Sequence, residues 1–301
     1  MSYKLSAIIP TKNRPEDLLK AVLSICNQTR LPDQLLIIDQ SDDNKVKKSI
    51  NLLVKKYKTI NLVYIYDPKI LGLVDAKRVS ILHASGDIIC FLEDDVILEP
   101  NYLYEIEAGF IHNPEMIGCC GLITNPPKSS PFYLFLFGIF HWGIFKDPRI
   151  GLTDRKIISS EQFIKSDKLS GGASAWRKIV FDTVLFDVKN GFHMFEDIDF
   201  STRVVEYFGP KLFINTKARL AHYYSPFNRD FFGRRQQRKV LESIMYYKKR
   251  KDIPWAKASL FCLLCGMFLE SLTESIMNIS LQSVLGFFLG LYDGVSKKVI
   301  E

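Results

Sequence analysis

The sequence predicts an α/β fold: a mainly parallel central sheet flanked by helices, followed by an apolar helical extension. Over the first 125 residues, short apolar runs alternate with helical patterns, which is how βαβ units read. After residue 229 a basic stretch is followed by two uncharged apolar segments. The composition agrees: 301 residues, 47% hydrophobic and 24% charged, suit a packed core and exclude a disordered tail, a collagen-like repeat or a disulfide mini-scaffold.

The candidate strands are 5–9, 34–39, 61–66, 87–92 and 117–123. Between the first two, Pro15 opens a helix with Glu16 and Asp17 in its first turn, where acids suit the helix dipole. Leu18, Val22 and Ile25 then fall on one face, able to cover the sheet. Further helices are expected at 74–83 and 100–112. Pro126-Pro127 breaks the pattern, and the aromatic run 131–145 is too short, at about 15 residues, to span a bilayer. It reads either as a buried segment or hairpin, or as a loop dipping into a membrane interface. Residues 162–225 resume a soluble α/β pattern. The apolar segments 258–269 and 275–292 are separated by Glu270 and Glu274; the first is too short to cross a membrane and the second is diluted by polar residues. Either they bind one membrane face, helped by the basic stretch before them, or they form an ordinary helical hairpin on the main domain.

Forty Lys+Arg against 33 Asp+Glu leave a net charge of +7, which suits phosphorylated partners or an anionic membrane surface. No nucleic-acid recognition signature accompanies that charge, so no nucleic-acid partner is expected. The six cysteines sit mostly in apolar runs, as expected in a reducing compartment. Cys262 and Cys265 form a CxxC with no second pair at zinc spacing and read as helix packing. The N-terminal residues carry no signal-peptide pattern, so a cytoplasmic location is expected, peripheral on the membrane.

In open α/β sheets, ligands bind beyond the carboxyl ends of the strands. Here those ends are polar: Pro10-Thr11-Lys12-Asn13-Arg14, Asp39-Gln40-Ser41, and Glu93-Asp94-Asp95 after the apolar run 88–92. Three adjacent carboxylates repel unless something positive neutralises them, and a divalent cation, Mg²⁺ or Mn²⁺, does so while also taking substrate phosphates. There is no P-loop and no GxGxxG, so a nucleotide would be held by side chains such as Thr11, Arg14, Asp39, Lys77 and Arg78. A second acidic group, Phe195-Glu196-Asp197-Ile198-Asp199-Phe200, follows the flexible Ser170-Gly171-Gly172-Ala173. One acidic cluster for a metal and another for proton abstraction suit metal-assisted transfer to a hydroxyl.

These motifs, in this order and spacing, resemble the family-2 glycosyltransferases of the GT-A fold, which are inverting enzymes using nucleotide-diphosphate sugars. The resemblance covers residues 6–225, with 86–95 resembling the DxD region and 195–200 the ED motif. It implies that Pro10, Thr11, Arg14 and Asp39 hold base and ribose, with Lys77 or Arg78 near the diphosphate. Asp94 would face the ribose or a metal-bound water, Asp95 and His222 would bind the metal, and Asp197, with Glu196 beside it, would be the base. The organisation implied is a nucleotide-sugar half over 1–125, an acceptor half over 126–228 and a membrane-associated extension over 229–301. The acceptor would be a glycan or lipid-linked precursor, as in polysaccharide biosynthesis. Glu93 stands where the family usually has Asp, Lys77-Arg78 where it often has Arg-Asn, and Gln40 where a second Asp is usual. Two other readings compete. A nucleotidyltransferase would need a Gly-rich loop after strand one, and Thr11-Lys12-Asn13-Arg14-Pro15 has no Gly. A non-catalytic membrane-associated scaffold of the same fold has no evident need of both acidic motifs.

Overall fold

The computed structural model describes residues 2–57, 59–127, 129–149, 161–226, 230–250 and 252–300. In chain order the elements begin β1 (Leu5–Thr11), α1 (Pro15–Cys26), β2 (Gln34–Asp39), α2 (Val46–Val54), β3 (Asn61–Tyr66), α3 (Gly72–His83) and β4 (Ile88–Leu92). They continue β5 (Val96–Leu98), α4 (Tyr102–His112), β6 (Gly118–Ile123), α5 (Pro131–Trp142), β7 (Phe163–Ser166) and β8 (Ala173–Arg177). A 3-10 turn (Lys178–Asp182), α6 (Glu196–Phe208), β9 (Leu212–His222), α7 (Phe232–Lys249), α8 (Ala256–Met277) and α9 (Gln282–Ser296) complete them. The described residues form two compact units: 2–126, 161–188 and 196–226 in one, and 127–149, 189–195 and 230–300 in the other.

The first unit is the expected α/β layer structure. All strands join one sheet in the order β3-β2-β1-β4-β8-β6-β9, with β7 and β5 sharing the far side of β9. Alternate residues face opposite cores: Ala7, Ile9, Leu35 and Ile37 pack with α1, α2 and α4, whereas Ile8, Leu36 and Ile38 pack with α3 and α6. Burial on both faces explains why these strands read as continuous apolar runs. The sheet combines the expected parallel pairs, β6 with β9 among them, with antiparallel ones. β1 to β4 pair in parallel, but β8 runs antiparallel to both β4 and β6, as do β5 and β7 to β9. Helix α2 was not expected, because its buried Val46, Ile50 and Val54 are spaced four apart among lysines.

The second unit is helical, formed by α5 and α7–α9 with the segment 189–195. The aromatic run is helix α5, whose Ser130 hydroxyl caps it by accepting from the Tyr133 N–H at 3.1 Å. It belongs with the C-terminal helices, so the middle division 126–228 read from the sequence contributes 127–149 and 189–195 to this unit. The expected break at Glu270 and Glu274 is absent: α8 runs unbroken through both. Lys239 on α7 neutralises Glu270, and Ser283 donates to Glu274 at 2.6 Å, so neither acid opposes the helix. By length and composition α8 could cross a membrane, and only 28% of its most apolar stretch is buried. α9 packs closely on α7, where a Cβ on Gly286 would lie 2.0 Å from the Gly233 carbonyl oxygen. Inside the unit, buried Asp147 binds Arg149 at 2.8 Å and His141 at 3.1 Å.

Candidate active site

The site is built on the carboxyl ends of β1, β2 and β4, in the first unit. β4 delivers Glu93, Asp94 and Asp95 beyond its last buried residue, Leu92. Asp94 turns toward β1 and accepts from Thr11 Oγ1 at 2.7 Å and Arg14 at 2.9 Å. Burial pushes the Asp94 carboxyl up to about 6, against the pull of those two donors. Asp39, fully buried beside Thr11 in register, accepts from the Ser41 N–H at 2.9 Å and the Tyr64 hydroxyl at 2.5 Å. Pro10 is buried in β1 and Arg78 is exposed on α3.

Asp95 turns the other way. β5 pairs antiparallel with β9, Val96 opposite His222, and this register brings His222 beside the acids. The Asp95 carbonyl accepts from the Tyr223 N–H and its carboxylate from the Ser225 N–H, both at 2.8 Å. His222 Nε2 stands 2.9 Å from Asp95 Oδ1 and 2.9 Å from Glu93 Oε2. One donor atom from each of Glu93, Asp95 and His222 falls within 4.8 Å of the others, the cluster of possible metal ligands among the described residues. Burial works against ionisation of Asp95, but His222, the Ser225 N–H and Arg14 hold it at about 2. Burial likewise opposes charge on His222, yet the facing Asp95 and Glu93 lift it to about 9. The imidazole and two carboxylates suit a divalent cation, which would replace the proton that His222 otherwise carries.

The second acidic group opens α6 and adjoins the first through Gly171 and Gly172. The Glu93 N–H donates to the Gly172 carbonyl at 3.2 Å, and Gly171 N–H donates to Asp197 at 2.9 Å. A side chain at either glycine would collide: a Cβ on Gly172 would sit 2.4 Å from the Glu93 carboxyl carbon, one on Gly171 2.6 Å from Glu196 Oε1. Two consecutive residues, about 3.8 Å apart in the chain, thus separate the acidic groups. Asp197 also accepts from the Ile198 N–H at 2.8 Å. Its burial, then the neighbouring Glu196, push it up to about 7, while Lys77 and the two N–H donors pull down.

Lys77, expected near a diphosphate, faces the second acidic group. Its ammonium binds Glu196 at 2.8 Å and the Gly171 carbonyl at 3.0 Å, and lies over the rings of Phe91 and Phe186. Arg14, expected to hold base or ribose, reaches Asp94 and lies 3.7 Å from Asp95. The sequence reading did not assign Glu93 to the metal cluster. Its spacing of two from Asp95 was the available signal.

The family model "Glycosyl transferase family 2" matches residues 6–165, more than half of the chain. The chain belongs to this family. Among curated relatives of this chain, the uncharacterized glycosyltransferase YwdF of Bacillus subtilis (strain 168) is 30% identical over 115 residues, 36% of this chain and 41% of that protein. An uncharacterized glycosyltransferase of Haemophilus influenzae is 31% identical over 91 residues, 30% of this chain and 36% of its own. The aligned part spans less than half of either relative. The mannosyltransferase PcManGT from Pyrobaculum calidifontis, solved in complex with GDP-Man and Mn²⁺, superposes with a TM-score of 0.63 at 10% identity, over 98% of this chain and 88% of its own. TarS 1–349 of S. aureus, solved in complex with UDP-GlcNAc, gives 0.61 at 15% identity, over 97% and 80%. At such identities the structural likeness shows a shared GT-A fold, and the family match places the chain in glycosyl transferase family 2.

Proposed function

We propose that this glycosyltransferase moves a hexose from a nucleotide-diphosphate sugar to an acceptor hydroxyl by one displacement with inversion, using Mg²⁺ or Mn²⁺. The observation that carries the reading is the junction of two chemically different acidic groups across Gly171-Gly172. Glu93, Asp95 and His222, the E-x-D version of a DxD motif with its histidine, would hold the cation. Bound there, it would supply positive charge where the departing diphosphate becomes more negative. One imidazole beside two carboxylates favours Mn²⁺ over the harder Mg²⁺.

Asp197 takes the acceptor proton. A value near 7 matches a base working at neutral pH, and the backbone donors at Gly171 and Ile198 fix its orientation. Lys77 neutralises Glu196, so the second group does not carry two uncompensated charges. Thr11 and Arg14 steady Asp94, and with Pro10, Asp39 and Arg78 they mark the edge where base, ribose and diphosphate would lie. The shared fold of PcManGT, solved with GDP-Man, and of TarS, solved with UDP-GlcNAc, supports a nucleotide-sugar donor. The exposed apolar helices support a lipid-linked acceptor met at the cytoplasmic face of a membrane.

The test is hydrolysis of a panel of nucleotide sugars, with and without Mn²⁺ or Mg²⁺. Metal-dependent release of nucleoside diphosphate from one sugar supports the reading. Release of pyrophosphate from a nucleoside triphosphate and a sugar phosphate would favour a nucleotidyltransferase, and donor binding without turnover a scaffold.

A further inference from the structure

The second unit carries a surface that deepens the membrane-face reading given above, on which this inference rests. α8 and α9 run antiparallel: Phe268 meets Phe287 with ring centroids 5.3 Å apart, and nearer the corner Ser283 bonds Glu274. α7 and α9 run parallel, with Gly233 level with Gln282 and Ile244 level with Gly294. α5 lies against α8, where Phe140 packs on Gly266, and Phe132, Tyr133, Phe232 and Met277 wall one groove of about 320 Å³. The starts of α5 and α7 and the α8–α9 corner therefore share one end of this helical unit.

That end is apolar where water would favour polar residues. Ile276, Met277, Ile279 and Leu281 are exposed at the corner, Ile279 by 95%. Phe132 and Phe135 are exposed on α5, and Phe231 and Phe232 at the start of α7. Helix turns of this kind usually place Gly or Asn in the left-handed region, yet here the β-branched Ile279 occupies it at φ +47°. Such a side chain gains nothing from water and makes sense in hydrocarbon. Arg234 and Arg235 are exposed in the first turn of α7, and with Arg238 they exceed Asp230, which binds Arg238 at 2.7 Å. Cations beside an exposed apolar surface complement anionic headgroups.

We infer that this end of the unit docks on an anionic bilayer, with the α8–α9 corner dipping into the hydrocarbon of one leaflet. Insertion of the corner fits better than a span by α8 alone, because Glu270 and Glu274 in its later turns are tied to α7 and α9. A second copy of the chain is the poorer cover: an isologous contact through this end would set its arginines against each other.

The experiment is flotation of the full chain with phosphatidylcholine vesicles, with and without phosphatidylglycerol. The chain should float with the anionic vesicles, more weakly with neutral ones, and less as salt rises. Ile279→Asp with Leu281→Asp should lower vesicle affinity about tenfold or more while leaving the circular dichroism spectrum unchanged. Arg234→Ser with Arg235→Ser should remove the preference for phosphatidylglycerol alone. A wild-type chain that ignores both vesicles, or a double Asp variant that floats equally well, overturns the inference. So does a dimer in light scattering that this variant abolishes, which would assign the face to a second copy. Donor hydrolysis measured without vesicles reports on the transferase reading separately, so the two can fail independently.

Discussion

Gly172→Ala tests whether the two acidic groups share one wall. Gly172 does not have positive φ, so alanine fits its backbone, and the cost falls on Glu93. The new Cβ would lie 2.4 Å from the Glu93 carboxyl carbon and 2.6 Å from both its Cγ and Oε1. Ordinary carbon contact needs the side chain to retreat by about 1 Å. Glu93 is long and partly exposed, so it can move without unfolding the sheet, and a fall in Tm of only a few degrees is expected. Its Oε2 cannot stay 2.9 Å from His222 Nε2, and the cluster loses one of three donors. Titration calorimetry with Mn²⁺ should therefore show affinity reduced roughly 10–100-fold, the range seen when a metal site loses its support. Glu93→Gln should weaken Mn²⁺ binding without the clash. Unchanged Mn²⁺ affinity in Gly172→Ala, with the fold intact, would refute the account of Glu93 as a ligand held by its glycine neighbour.

The remaining predictions concern the second group. Asp197→Asn should reduce transfer by roughly 10²–10⁴ while donor binding, followed by nucleotide calorimetry, persists. With Asp197 near 7, kcat should rise from pH 6 to 8 and then level, and a profile flat over that range would contradict the assignment. The same shift raises the folded-state value above the unfolded one of about 3.9, so the folded protein binds the extra proton. Stability from this group is full below the unfolded value and is lost as pH rises through about 7; urea melts of Asp197→Asn should show a shallower decline from pH 5 to 8. Lys77→Met should cost about 3–5 kcal/mol in urea unfolding by stranding the buried Glu196 carboxylate, and Lys77→Met with Glu196→Gln should recover most of it.

What the sequence revealed follows from how each element is buried. β1, β2 and β4 lie between two apolar cores and read as unbroken runs, so their place and parallel pairing were legible. β8 mixes Ser174 and Arg177 with Ala and Trp, and β9 carries Asn215, Thr216, Lys217 and Arg219, so neither shows a clean period. Each acid of the site could be picked out because carboxylates at strand and helix ends stand against apolar surroundings. Their partners could not be paired from the pattern alone, although the family resemblance named His222 with Asp95. His222 reaches Asp95 only through the Val96–His222 register of an antiparallel pair, and Lys77 meets Glu196 across 119 positions of chain.

The buried Lys77–Glu196 pair also bears on the base proposed at Asp197. Desolvation alone would keep its carboxyl protonated at neutral pH, and an uncompensated Glu196 charge would push it further the same way. Lys77, held between Phe91 and Phe186, cancels the Glu196 charge at 2.8 Å and leaves burial as the main force on Asp197. The result is a carboxyl near 7 rather than one locked in its acid form. A proton affinity near neutral pH is the one at which the proposed base would be most effective. Lys77, which the family resemblance names near the diphosphate, thus also sets the charge of the second acidic group.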